Sequence, residues 1–575
     1  MPGKKVSMPL AVRIARWSRR LSWPIVKGLF ILSVVLFVGG GLSYLFNRSD
    51  SDPLQMLRWA KSLAYAAFLL GVIRAYWEKI RQRYRTINLQ HSEGHVVVCG
   101  IGDFGQSLVD AFLDKGYKVA VIELNAAHTE VVSLKSRGVV VIHTDASDPA
   151  ALYEVNASKA RYLFAVTGND RRNVKIIRAA RQTVLDEQNS GGDSDLRCYC
   201  HITDATLFEV FSQHEVFEAA HDGFYASLFN VHDAASRFLL EKYPPDAFAA
   251  LPAAGSEPLE VVIVGQTRMG EALIRQLARI GHYLRWHSVQ ITVIDKEADA
   301  FEHFFSSYRD ISPLDDTLVP GVTVRLVRKD PEKIKFVADL DAGDLGNPAL
   351  VCCCLDDETL NIALALNLRR MLDNDDAPIV ACLTSGLSDL LQEKQCRYLS
   401  QRNIHSFNPY RFASDFQVLL DDAADKIARA IHQAYLDSLS GENVADNPSL
   451  VPWQQLSEEK KNANRWQADH LSVKLREMGY DQRGVAAIDA VVDDPVWLEK
   501  LSELEHRRWM AALYLDGWRY AETGKDAVRK THACLVPYER LSQVEKGKDD
   551  TMIRNIKHLV ESPEWQTYTA FVDKR

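Results

Sequence analysis

No two cysteines in this chain are spaced C-x-x-C, and the nine present (99, 198, 200, 352, 353, 354, 382, 396 and 534) are an odd number. The pattern argues against a disulfide framework and against the usual zinc-ligand spacing. Most of these thiols lie in apolar runs such as "LVCCCL" and "RCYCHI", where reduced, buried cysteines belong. Cys198, Cys200 and His201 cluster without the spacing of a metal site, so no metal is expected. A basic excess is also missing: 68 Lys and Arg stand against 76 Asp and Glu, for a net charge of −8. The chain therefore carries no overall footprint for nucleic acid. Long low-complexity stretches are absent too, so 575 residues must be shared among about three to four folded domains.

Charge is missing altogether from "LFILSVVLFVGGGLSYLF" (29–46), an 18-residue run long enough for a transmembrane helix. "SLAYAAFLLGVI" (62–73) has 12 uncharged residues and reaches membrane length if Arg58 and Lys61 snorkel; the alternative is an interfacial amphipathic helix. Lys4, Lys5, Arg13, Arg16, Arg19 and Arg20 precede the first run, and Arg74, Lys79, Arg81, Arg83 and Arg85 follow the second. Basic flanks belong inside. The expectation is a cytoplasmic N-terminus (1–24), a transmembrane hairpin (25–77), a linker (78–94) and cytoplasmic domains thereafter, the chain being multi-pass in an inner or plasma membrane.

The remainder reads as α/β. "HVVVCGIGDFGQSLVDAF" (95–112) is an apolar strand breaking into Gly100-x-Gly102-x-x-Gly105 and then a helical pattern. That spacing lets a pyrophosphate approach a helix N-terminus. "GYKVAVIELN" is a second strand ending at Glu123, where an acid can accept the ribose hydroxyls of an adenosine. Four further strands follow, through "GVVVIHTDASDP", "ARYLFAVTGNDRRN", "LRCYCHITD" and "HDGFYASLFN", to residue 243. The pattern then restarts with "LEVVIVGQTRMGEALIRQL" (259–277), a strand ending at Asp295, and Asn361 in the place of Asn173. These are two tandem Rossmann-like parallel-sheet domains, 95–243 and 258–438, from an internal duplication. In the second loop, Gly265-x-Thr267-x-x-Gly270, a side chain replaces the middle glycine, and Leu355 replaces Thr167. The first copy is expected to bind, and the second to be degenerate or turned to another ligand.

The residues "VVVCGIGDFGQSLVDAFLDKGYKVAVIELN", "HTDASDP" and "AVTGNDRRN" resemble the regulator-of-potassium-conductance (RCK) domain, also called the TrkA N-terminal domain. The resemblance implies a regulatory ligand, NAD(H), ATP or ADP, and control of potassium channels or transporters. It also implies homo-oligomers, dimeric or tetrameric. Carried across, Gly100, Gly102, Asp103, Phe104 and Gly105 form the phosphate loop and Glu123 takes the ribose. Asp145 and Ala146 flank the adenine, with Thr167 near the crevice. Two features depart from the family. The linker at 244–257 is too short for a separate ligand-binding subdomain, and the hairpin connector "NRSDSDP" is too short for a pore helix and filter.

After a polar linker (437–452) the composition changes, with six of the eleven tryptophans beyond residue 450. Two helices are expected in 453–480 and another in 495–520, then a loop and a short helix. Asn464-Arg465, Ala468-Asp469-His470, Glu505-His506-x-x-Trp509, Gly517-Trp518-x-Tyr520, the run from His532 to Tyr538 and "EKGKD" at 545–549 resemble the RyR domain named from ryanodine receptors. The resemblance implies a mainly helical ligand-sensing module over 450–575. Its binding residues would come from Asn464, Arg465, His506, Trp509, Trp518, Tyr520, His532 and Tyr538. The bland alternatives are a polar helix surface at Glu505-His506 and core tryptophans at Trp509 and Trp518.

An oxidoreductase needs a substrate domain beside the nicotinamide; here that length is a second, weakened nucleotide fold and a helical module. The expected function is a membrane-anchored nucleotide sensor, not an enzyme, that regulates potassium flux or membrane permeability. It would act as, or with, an ion-channel or transporter subunit and bind no nucleic acid. The alternatives are a nucleotide-activated membrane effector in bacterial anti-phage defence, a membrane-tethered NAD(P)-dependent oxidoreductase, and a scaffold with vestigial sites.

Overall fold

The computed structural model describes residues 61–66, 68, 85–125, 130–218, 223–249, 257–296, 317–333, 340–385, 387–391, 396–415, 425–438 and 449–573. The basic N-terminus and nearly all of the expected hairpin lie outside them. Among the described residues no helix is long and apolar enough to cross a membrane.

The chain divides into two compact units. One comprises Met1–Ser92, Val131–Val141 and Glu154–Asn156, the other Glu93–Glu130, Ile142–Tyr153 and Ala157–Arg575. In the first, Arg85 donates to the Lys135 carbonyl at 2.8 Å. Asn156, at φ 53°, donates to the carbonyls of Gln90 and Ser92 at 3.1 and 3.2 Å. Its short amide suits the left-handed conformation and holds the segment around 90–92 in place.

The first sheet contains β1 (Val96–Cys99), β2 (Val119–Ile122), β3 (Val140–Ile142), β4 (Tyr162–Ala165), β5 (Leu196–His201) and β6 (Phe224–Phe229), in the order β3-β2-β1-β4-β5-β6. β2, β1, β4, β5 and β6 pair parallel in turn. Strands such as "VVVC" and "YLFA" are buried throughout, as parallel strands covered on both faces must be. The order reverses between β1 and β4, which opens a crevice beyond their carboxyl ends. Around it lie the helices α1 (Asp103–Asp114), α2 (Asp170–Asn189) and α3 (Val231–Lys242).

The second sheet repeats this plan. β7 (Leu259–Val264), β8 (Val289–Asp295), β9 (Thr317–Val319), β10 (Val322–Arg328), β11 (Leu350–Cys353), β12 (Ile379–Cys382) and β13 (Ile404–Phe407) lie in the order β13-β12-β11-β7-β8-β10-β9. Without β9 the order is that of the first sheet. β9 is an addition, antiparallel to β10, reached through Pro320 and Gly321 at φ 83°. Nothing in the apolar pattern of the sequence announces this strand. α4 (Arg268–Ile280) follows β7 and α5 (Glu358–Leu368) follows β11.

The C-terminal helices include α6 (Lys426–Ser438), α7 (Glu458–Asp469), α8 (Leu471–Met478), α9 (Pro495–Leu515), α10 (Gln543–Glu561) and α11 (Pro563–Asp573), with a two-strand parallel pair, β14 (Arg519–Tyr520) and β15 (Thr531–His532). The expected short helix after Tyr538 is the 19-residue α10. Ser542 caps it by accepting from the Glu545 amide at 3.2 Å, a start signal legible in "SQVE". These helices do not stand apart. Val473, Ala511 and Leu515 share one apolar cluster with Leu273, Leu277 and the inner face of the second sheet. Polar links reinforce it. Arg237 and Gln276 both donate to Asp469 (2.7–2.9 Å), Arg476 to Asp246 (2.7 and 2.9 Å) and Arg507 to the Tyr283 carbonyl (2.8 Å). The change of composition after 437–452 marks a change of architecture, not a joint between independent bodies.

Candidate functional site

The three glycines of the first loop have three separate jobs. Gly100 sits at φ 100°, and a Cβ there would lie 2.7 Å from Thr167 Cα, so the turn beside β4 admits no side chain. Gly105 packs α1 onto the loop: a Cβ would stand 2.2 Å from the Gly100 carbonyl oxygen. Gly102 is different. It occupies the N-cap of α1 without a capping side chain, and a Cβ built on it meets nothing within 4 Å. Space is thus left directly over amides at the positive end of a helix, the arrangement a phosphate fits.

Glu123 braces this loop. Its two carboxylate oxygens accept from the amides of Ile101 (3.0 Å) and Asn125 (2.8 Å). Each oxygen keeps a further lone pair for ribose hydroxyls. Thr167 donates both its amide and its hydroxyl to Asn173 Oδ1 (2.9 and 2.7 Å), and the buried Asn173 donates to the His201 carbonyl (2.8 Å). Asp145 folds onto its own turn, accepting from the Ser147 amide and hydroxyl at 2.9 and 2.8 Å. The Ser147 amide foremost holds its carboxyl below the usual range. Ala146 is buried and Asp103 exposed. Phe104 turns inward, its ring 5.8–6.0 Å from those of Phe229, His201 and Tyr410. It is a packing residue of α1, and Tyr410, from the second copy, is the neighbour that sequence reasoning missed.

The second copy keeps the frame and fills the space. Asp295 accepts from the Gln266 amide (2.8 Å) as Glu123 does from Ile101, and Asn361 bridges the Leu355 amide to the Cys382 carbonyl as Asn173 bridges its own strands. Gly265, at φ 99°, is covered by Leu355, whose Cδ2 would be 2.8 Å from a Cβ. Thr267 occupies the N-cap, donates to the Cys354 carbonyl at 2.6 Å and accepts from the Gly270 amide at 3.4 Å. The Thr267 side chain thus stands at the start of α4, where the first copy leaves open space over Gly102.

In the C-terminal module the eight expected binding residues fall into separate groups. Ring centroids link His506 to Trp509 (5.4 Å), Trp509 to His532 (5.1 Å), Trp518 to His532 (6.2 Å) and His506 to Tyr538 (6.0 Å). Lys525 and Lys546 lie over the rings of Trp518 and Tyr538 at 5.5 and 4.6 Å. Trp518 is buried against Met510 and Leu535 and donates to Asp516 at 2.9 Å. We expect Trp518→Ala to cost about 3–5 kcal/mol in chemical denaturation, as a core aromatic does. Tyr520 is exposed and takes no part in this cluster. Arg465 is consumed elsewhere, bonded to Asp425 (2.6–3.0 Å), Glu458 (2.9 Å) and Asn462 (2.8 Å). Asn464, on α7, donates to the Lys460 carbonyl.

Behind the rings lies a buried ionic centre. Glu505 accepts from Lys474 (2.6 Å) and from Arg508 twice over (2.7–3.2 Å). Burial alone would push its carboxyl up, but Arg508 and Lys474 hold it well below the ordinary range. The Glu505-His506 pair is therefore structural at its first member. Asp549 faces the same centre, and burial, aided by repulsion from Glu505, pushes its carboxyl up to about 8. Its folded-state pKa lies above its unfolded value. The stability it contributes is full below pH ~4 and is lost as pH rises through about 8. Thermal unfolding should show a midpoint that falls between about pH 4 and 8 and levels above it, a fall that Asp549→Asn flattens; an unchanged slope in the variant would reject the assignment.

Comparison with known domains follows this geometry. Residues 96–189 match the TrkA-N domain. Residues 494–567 match the RyR domain. No curated protein matches the chain. Among solved structures, GsuK bound to ADP shares 13% identity across 68% of this chain and 88% of its own, with a TM-score of 0.39. The GsuK channel bound to NAD shares 13% across 71% and 83%, at 0.40. A dipicolinate synthase from Bacillus halodurans shares 12% across 57% and 97%, at 0.20. The TrkA-N match ends with the last residue of α2, so it contains the glycine loop, Glu123, Asp145 and Thr167 with its partner Asn173. The RyR match spans α9 to α11 and leaves Asn464 and Arg465 outside it.

Proposed function

We propose that this chain is a membrane-anchored sensor. Its TrkA-N segment binds an adenine nucleotide, NAD(H), ATP or ADP, as a regulatory ligand, and its ligand state regulates potassium flux or membrane permeability. The observation that carries the reading is the open space over Gly102 at the start of α1, framed by Gly100 and Gly105. The loop amides would hold the phosphates and Glu123 the ribose, while Thr167, pinned by Asn173, lines the crevice wall. The nucleotide acts as a signal. Glu123 and Asp145 are held by backbone amides of their own loops, which suits binding and not proton transfer, and the chain length that an oxidoreductase would give to a substrate domain is a second nucleotide fold. Phe104 and Tyr410 offer a route by which loop occupancy bears on the second copy, since the ligand's amides and the Phe104 ring share one helix.

The reading is tested by ion flux in liposomes holding the full chain, with and without NAD(H), ATP and ADP. A nucleotide-dependent change absent from Gly102→Asp supports it, and steady NAD(P)H turnover defeats it. Anchoring has its own test. Cysteines at Ser49 or Ser51 should react with an impermeant thiol reagent in intact cells, and one at Glu93 should not. Ser92 is buried and would stay silent on either side, which makes Glu93 the informative position. Labelling at Glu93 would reverse the topology.

A further inference from the structure

A cavity of about 270 Å³ opens between α6, α7 and α10, away from the Gly100 loop. Two residues that stood out in sequence, Asn464 and Lys548 of "EKGKD", line opposite walls of it. Its floor is apolar, from Leu456, Met552 and Leu559, and its polar wall carries the amides of Gln467 and Asn555. Among the described residues neither amide has a hydrogen-bond partner within the chain. Such groups, half-buried beside apolar side chains and with their donors and acceptors unspent, suit a flat ring with polar atoms along its edge.

One end of the cavity is cationic. Lys460 and Lys548 line it, and Lys525 lies close enough to Lys460 to feel its charge. Lys548 is steadied by Glu545 at 2.8 Å, and Glu459 lies near Lys525. Burial, with Lys460 beside it, holds the Lys525 ammonium below its ordinary range. Ammonium groups gathered at one end disfavour one another until an anion joins them. We propose that this cavity is a second ligand site, for a nucleoside monophosphate, with its phosphate at Lys460 and Lys548 and its base between the amides and the apolar floor. The volume stands at the small end of ligand pockets, which run from roughly 300 to 1,000 Å³, and so favours a mononucleotide over a dinucleotide. α6 and α7 lie outside the RyR match, so the site belongs to this chain's assembly of module and second copy and does not depend on the first-copy reading.

The test uses the full chain in detergent carrying Gly102→Asp, so that the loop at Gly100 is silent. Nucleoside 5′-monophosphates, adenosine, ribose 5-phosphate and inorganic phosphate are compared by calorimetry, and by protection of lysines from acylation read by mass spectrometry. At least one monophosphate should bind and protect Lys460 and Lys548, with adenosine and ribose 5-phosphate each at least tenfold weaker. Asn555→Leu and, separately, Lys460→Gln should each weaken it about tenfold without moving the melting temperature. Gln467→Leu serves if the Asn555 variant unfolds. Absence of protection, equal protection by inorganic phosphate or by anionic phospholipid vesicles, or indifference to both substitutions would overturn the proposal. Because the footprint is read at these lysines, its failure is distinguishable from failure at the first loop.

Discussion

Gly102→Asp should abolish the proposed adenine-nucleotide binding in calorimetry, a loss of at least 100-fold, and leave the fold in place. The new Cβ enters open space, so nothing clashes in the empty protein. The carboxylate would instead cap α1 itself, an exchange from glycine that stabilises a helix by roughly a few tenths of a kcal/mol only, and set a negative charge where phosphate must lie. Thr267→Asp should leave nucleotide affinity within about twofold and act on stability instead. It exchanges a hydroxyl that donates to the Cys354 carbonyl at 2.6 Å for a carboxylate that cannot. The expected cost is about 1–3 kcal/mol. Equal loss of affinity from both changes would contradict the asymmetry of the two loops.

The second large effect belongs to Glu505. Replacing it with leucine leaves Lys474 and Arg508 buried without their shared partner. The expected loss is about 3–5 kcal/mol of stability in denaturant unfolding, the range for breaking a buried ion pair from one side. Lys474→Met with Glu505→Leu should recover part of it; a double variant as unstable as the sum of the singles would mean the three groups do not act as a unit. The damage should not stay in the RyR segment. α8 and α9 bury Val473, Ala511 and Leu515 in the apolar cluster of the second sheet. Far-ultraviolet and tryptophan signals should therefore report one transition for both. For the same reason, deleting residues 450–575 uncovers the face of α4 and is a poor way to isolate nucleotide binding; point substitutions are the cleaner tool.

What the sequence showed of this molecule follows from locality. The first sheet's strands were legible because each is a short apolar run with a glycine turn or helix cap beside it. Gly100, Gly102 and Gly105 could be assigned because backbone geometry depends on residues within six positions of one another. The duplication was legible through Asn173 and Asn361, which occupy equal places and make equal bonds. Distance in sequence hid the rest. Nothing near Phe104 announces Tyr410, some 300 residues on, and nothing near Arg465 announces Asp425 as its partner. Arg465 reads as a ligand-binding cation only while that carboxylate is out of view. Strand β9 was missed because its three residues carry no period long enough to read.

Thr267 has a consequence for dose response. Two linked nucleotide folds with both loops open could answer to ligand steeply, one occupancy favouring the other. With the Thr267 side chain in the second cradle, each polypeptide would hold, under the proposed function, one competent loop for every pair of folds. A single chain would then titrate hyperbolically, with a Hill coefficient of one, its setting following nucleotide concentration as a graded dial. Any steeper threshold has to come from chains meeting chains.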